Sequence, residues 1–172
     1  MKTTYTASTL AESLVPSRSE AELRKLNNLV RNWAAQGLLR PLPGSGGKGK
    51  GVHRRYDRWE VYKAAVLLEL TRYGLPWNVL ARVAGLFDDT RPLPRAIRQT
   101  RPQAALAVAD KKRSARTDLL AAAIDGHQPV YLILAADASG GFTVEFGKDL
   151  TPPAGARSFA VVNVTEVLAQ YR

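Results

Sequence analysis

Apolar residues recur at helical spacing through the first half of the chain and at strand spacing near its end. Between Ser19 and Gln36, Leu23, Leu26, Val30 and Trp33 return at three- and four-residue steps and form one side of an amphipathic helix. Ser19 is its expected N-cap and Glu22 the capping-box partner; Gly37 is the expected left-handed stop, and Pro41 and Pro43 prevent continuation. At about 100° per residue, Arg24, Asn28 and Arg31 cluster on the opposite side, flanked by Lys25, Asn27 and Asn32. A shorter helix, capped by Ser8, is expected before it, running to Leu14 until Val15-Pro16-Ser17 breaks it. Val61, Tyr62, Ala65, Val66, Leu68 and Leu70 predict a third helix from Trp59 to Tyr73, ended by Gly74, and Pro76 opens a fourth through about Leu86. Trp33 and Trp59 read as core or interface aromatics, not as base-stacking platforms.

The pattern then changes. Pro92, Pro94 and Pro102 interrupt any long helix, so residues 88–103 read as a proline-rich linker, with Asp88-Asp89 as a solvated turn. Ala104 to Ile124 is alanine-rich and helical by propensity, with Lys111-Lys112-Arg113 and Arg116 as a solvated face and Gly126 as the stop. Val130 to Ala136 is uniformly apolar, as a central strand is, whereas Phe142, Val144 and Phe146 alternate with Thr143 and Glu145, as in a half-buried strand. Ser139-Gly140-Gly141 joins the two as a hairpin, Ser158 to Asn163 is a third strand, and Thr165 is the expected N-cap of a last helix to Tyr171.

Between the second and third helices, Gly44-Ser45-Gly46-Gly47-Lys48-Gly49-Lys50-Gly51 has too much glycine and too few apolar groups for a regular element, and a hairpin tip, a wing, is the economical reading. Charge sharpens it. Arg40, Lys48, Lys50, Arg54, Arg55 and Arg58 face one acid, Asp57, in that stretch. The net charge of +10 is concentrated likewise, with 14 basic and 6 acidic residues in 1–87 but 3 and 4 in 128–172. A local excess of this kind favours a polyanion, and beside a polar helix face that polyanion is expected to be double-stranded DNA.

Other chemistry finds little footing. The absence of cysteine excludes disulfides, zinc thiolates and thiol catalysis, and two distant histidines make no metal cluster. The glycine run lacks the Ser or Thr that follows Lys in a phosphate-binding loop, since Lys50 precedes Gly51. An enzyme, a cofactor and a metal are therefore not expected. With 45% hydrophobic and 23% charged residues and no apolar run of about 20, a folded, cytoplasmic, nucleoid-associated protein without membrane contact is expected. Abundant Ala and an excess of Arg over Lys suggest a bacterial source.

In order and spacing, Val30-Arg31-Asn32-Trp33, Gly37-Leu38-Leu39-Arg40-Pro41, Arg54-Arg55-Tyr56 and Tyr73-Gly74-Leu75-Pro76 resemble the DNA-binding domain of MerR-type regulators over roughly residues 5 to 87. The resemblance implies that Arg31 contacts phosphate from the recognition helix, that Arg54 contacts the backbone from the wing, and that Tyr56 packs at the wing base within reach of a phosphate. Base reading falls to Arg24, Lys25, Asn27 or Asn28, with Lys48, Lys50, His53 and Arg55 completing the expected contact set. The prolines after Phe87 stand where the family's long dimerisation helix runs. Homodimerisation is accordingly assigned to residues 104–172, with docking of a protein partner, or of a small effector, as the alternative role.

The expected fold is thus α+β: a mostly helical winged helix-turn-helix with a small β wing over 1–87, the linker 88–103, and a small α/β module with a hairpin and C-terminal helix over 104–172. The expected function is sequence-specific transcriptional regulation, with the helix Glu20 to Gln36 in the major groove and the wing on the adjacent backbone or minor groove. The alternatives are an excisionase-like or partition-associated architectural factor and an antitoxin-type interaction module that also binds its own promoter.

Overall fold

The computed structural model describes residues 3–15, 19–45, 53–91 and 115–171. Among these, six helices and one three-stranded antiparallel sheet make a mixed α and β fold. The chain divides into two compact units, one within Met1–Ala84 together with Tyr171, the other within Gly85–Gln170.

The first unit is built on α1 (Ala7–Leu14), α2 (Glu20–Ala35), α3 (Arg58–Arg72) and the start of α4 (Trp77–Thr90). α1 is capped by Thr6, not by the expected Ser8, which lies inside the helix. Thr6 Oγ1 accepts from Thr9 N at 3.2 Å and Thr6 N donates to Thr9 Oγ1 at 2.8 Å, so Thr9 does the work that an acid does in the commoner capping box. In α2 the expected Ser19–Glu22 box is present, and Leu26, Val30 and Trp33 are buried against α1, with Leu23 half-buried.

α2 stops at Gly37, whose φ of +81° a residue with Cβ adopts at a cost. Leu38 N then donates back to Trp33 O (2.8 Å) and Gly37 N to Ala34 O (3.4 Å), the bonding that satisfies the last carbonyls of a helix. α3 ends the same way, with Gly74 at φ +70°, Leu75 N on Leu70 O and Gly74 N on Thr71 O.

α3 is the pillar of this unit and is not amphipathic. Every residue from Glu60 to Leu68 is buried, including Glu60 and Lys63, both fully. Their side chains pair at 3.0 Å. Lys63 Nζ also donates to Leu38 O (3.3 Å), and Glu60 Oε2 accepts from Arg40 N (2.9 Å), so the pair grips the turn that leaves α2. A buried ion pair survives desolvation only with such extra partners.

The start of the chain joins the same unit through main-chain bonds between Tyr5 and Tyr56 (2.8 and 2.7 Å). Leu42 N donates to Arg55 O at 2.7 Å, and the Ser45 hydroxyl accepts from Arg55 N at 3.0 Å. Most of the expected wing, 46–52 with Lys48 and Lys50, lies outside the described residues.

α4 continues to Thr90, past its expected end near Leu86, and Asp88 and Asp89 are helical, not a turn. The buried Thr90 hydroxyl donates to the Leu86 and Phe87 carbonyls, and Thr90 O accepts from Thr117 Oγ1 at 3.0 Å. These bonds reward helix where the sequence offered only polar residues before a proline. Residues 92–114, holding Pro92, Pro94, Pro102 and the Lys111-Lys112-Arg113 run, lie outside the described ones.

The second unit holds α5 (115–125), β1 (Tyr131–Asp137), β2 (Phe142–Gly147), β3 (Ala156–Asn163) and α6 (Val164–Ala169). The sheet order is β2-β1-β3, so β1 is central and Leu132 to Ala135 are buried in succession, as its uniform apolarity predicts. Leu132 faces Phe146 and Val162 across the sheet, and Phe146 meets Phe87 edge to face, ring centres 5.5 Å apart. The Asp137 carboxylate accepts from Ser139 Oγ, Ser139 N and Gly141 N, which shapes the β1–β2 turn and holds its pKa below the usual carboxylate range.

α6 is capped by Asn163, whose Oδ1 accepts from Glu166 N. Thr165, the expected cap, instead accepts from Val130 N (2.9 Å) and donates to Gln128 O (3.0 Å), tying the helix to the start of β1.

Lys63→Met leaves Glu60 charged and buried, and is expected to cost about 3–5 kcal/mol in urea unfolding; Glu60→Gln with Lys63→Met should recover most of that loss.

Candidate nucleic-acid interface

α2 presents a polar side because its apolar residues return every three or four positions and face α1. Arg24, Lys25, Asn28 and Arg31 on that side are all exposed. Asn27 is not fully on it: the residue is half-buried, and its Oδ1 is buried with no hydrogen-bond partner among the described residues. Asn27 therefore turns a polar atom inward, whereas Arg24, Lys25 and Asn28 reach solvent.

The segment before α3 supplies the second group. His53, Arg54 and Arg55 are exposed, and Arg55 Nη1 donates to Thr4 Oγ1 at 3.3 Å. Tyr56 between them and α3 is buried, pinned by its main-chain exchange with Tyr5. Burial raises the Tyr56 phenol above its ordinary pKa of 10.0; Arg54, close by and hydrogen-bonded to the hydroxyl, opposes this in part, and Glu60 adds to the rise. At neutral pH the phenol is uncharged.

These groups converge on one open cleft of about 550 Å³. Arg31 and Ala34 of α2, Thr6, Ala7 and Ser8 at the start of α1, and His53, Arg54 and Tyr56 line it. Arg31 and Arg54, 23 positions apart in the chain, thus share a wall, and among the described residues no carboxylate lines it. The positive end of the α1 dipole opens on the same space. Two guanidinium groups, a helix start and a histidine around a concave surface make a local potential that suits an anion, and the fork of each guanidinium matches phosphate oxygens.

Of the expected contact residues, then, the structure gathers Arg31, His53, Arg54 and Tyr56 at the cleft. It leaves Arg24, Lys25 and Asn28 along α2 and Arg55 beside Thr4, while Lys48 and Lys50 lie outside the described residues. Two contributions escaped sequence reading. The start of α1 joins the cleft, a position signalled only by the Thr6-x-x-Thr9 cap, and Glu20, one turn before Arg24, pairs with it.

The raised Tyr56 pKa sets an alkaline signature. The unfolded chain loses the phenolic proton first, near pH 10.0, so stability is complete below that value and falls as pH rises through the higher folded pKa. Urea midpoints measured across this range should fall less steeply for Tyr56→Phe than for the parent.

Among the described residues no helix is long and apolar enough to cross a membrane. No protein-family model matches the chain, and a search of curated proteins finds no match to it.

Proposed function

We propose that the protein is a sequence-specific DNA-binding transcriptional regulator whose first unit works as a MerR-like winged helix-turn-helix. In this reading α2 enters the major groove, and the segment around residues 44–55 lies on the flanking backbone or minor groove. The observation that carries it is the cleft in which Arg31 and Arg54 meet the start of α1 with no acid between them. A DNA phosphate is the anion that also accounts for the exposed Arg24, Lys25 and Asn28 beyond it, because cations and amides in a row along a helix match a charged backbone followed by base edges.

Arg31 and Arg54 then set position and salt-dependent affinity, with His53 as a further donor at the cleft, while the buried Tyr56, expected within reach of a phosphate, instead backs Arg54 from inside. One recognition helix covers a short site, so binding as a homodimer through the remainder of the chain, on a two-part operator, belongs to the same proposal.

The test is selection of bound fragments from a random duplex library at physiological salt, which should enrich one motif; failure to enrich any motif rejects the reading. Arg31→Ala should weaken binding to all sequences alike by roughly ten-fold or more and lower the slope of log affinity against log salt by about 1, and Arg54→Ala should do the same. Asn28→Ala should instead change which bases are preferred.

A further inference from the structure

The charges on α2 are not uniformly positive. Its first turn carries Glu20 and Glu22, and Glu12 of α1 borders the shallow groove of about 200 Å³ that runs beside Glu20, Leu23, Arg24 and Asn27. Glu22 is committed to the cap, where its carboxylate accepts from Ser19 N and Ser19 Oγ. Glu20 is not required there. Its carboxylate accepts instead from the Arg24 guanidinium one turn on, and both side chains stand in solvent, 80% and 75% exposed.

Such a pair adds little to the helix, since exposed ion pairs of this spacing have small effects on stability. On a face that meets DNA it is costly, because a carboxylate repels every phosphate near it. It is repaid only where the acid finds a donor, and in the major groove a carboxylate's donor partners are exocyclic amines, that of cytosine among them. The partner it holds is an arginine, whose fork takes the O6 and N7 edge of guanine. Glu20 also restricts the Arg24 side chain, which leaves less rotamer freedom to lose on binding. Four residues of helix rise about 6 Å, nearly two of the roughly 3.4 Å base steps, but the two side-chain tips meet, so together they can reach one base pair or two adjacent ones.

Resting on the regulator reading above, we propose that Glu20 and Arg24 act as one base-reading couple: Arg24 takes a guanine, and Glu20 accepts from the amine of the cytosine paired with it or next to it. The couple makes the first turns of α2 a reader, while the phosphate grip sits further along, at Arg31. Glu20 is thereby a specificity-determining residue that excludes phosphate as well as selecting a base.

The experiment is motif selection from a random duplex library with the parent protein, Glu20→Ala, Arg24→Ala and the double variant, each checked for an unchanged melting temperature. The parent should enrich a C·G pair or step at a defined position. Glu20→Ala should lose roughly ten-fold of the cytosine preference there, yet bind random duplex severalfold more tightly, because a phosphate-repelling charge is gone. Arg24→Ala should relax the same position, and the double variant should relax it no further, as expected of residues that read together. A parent motif left intact at every position in both single variants overturns this inference alone, as does a change confined to A·T positions. A parent that enriches no motif overturns the regulator reading and this inference with it. A drop in melting temperature with an unchanged motif assigns the pair to helix stability and likewise overturns the inference.

Discussion

The first unit depends on one buried ion pair. Glu60 and Lys63 sit a turn apart at the start of α3 with no exposure, and between them they hold Leu38 O and Arg40 N. That grip sets where the chain goes after α2, and it does so with charged bonds in a low-dielectric interior, where each is stronger than its counterpart in water. Leu38 and Leu39 in that turn are themselves buried, so apolar burial and charge act on one turn together. The turn that the ion pair holds lies between α2, which carries Arg31, and the segment that carries His53 and Arg54, the two sides of the cleft.

A second constraint is electrostatic and concerns what the surface offers. Along α2 the first turn is acidic and committed, Glu22 to its cap and Glu20 to Arg24, whereas the later exposed polar positions are basic or amide. The cleft at the far end gathers two arginines without an acid. The acidic turn and the acid-free cleft thus lie toward opposite ends of one helix. The neutral, buried Tyr56 backs Arg54 through its hydroxyl and anchors the start of the first unit through Tyr5.

How much of this was legible in the sequence depends on how local each cause is. Ser19 with Glu22, Gly37 and Gly74 announce the ends of helices because caps and left-handed turns are settled within a few residues. The apolar run that became β1 and the alternation that became β2 are local in the same sense. The cap of α1 was misplaced because Thr9 substitutes for an acid, and that of α6 because Thr165 is engaged by Val130 and Gln128, 35 and 37 positions away. α4 outran its expected end because the Thr90 hydroxyl closes it and Thr117 docks on its last carbonyl.

The sequence by itself determined the helices of the first unit, the strands of the second, and the basic, glycine-rich stretch between α2 and α3, since hydrophobic period, turn chemistry and charge are properties of neighbouring residues. Only the tertiary structure decided that Glu60 and Lys63 belong to the core, that Asn27 turns inward, that Glu20 holds Arg24, and that Arg31 and Arg54 share one cleft with the start of α1. A charged side chain reads as surface until a partner and a buried helix are known, and residues 23 positions apart become neighbours only when the turn between them is held.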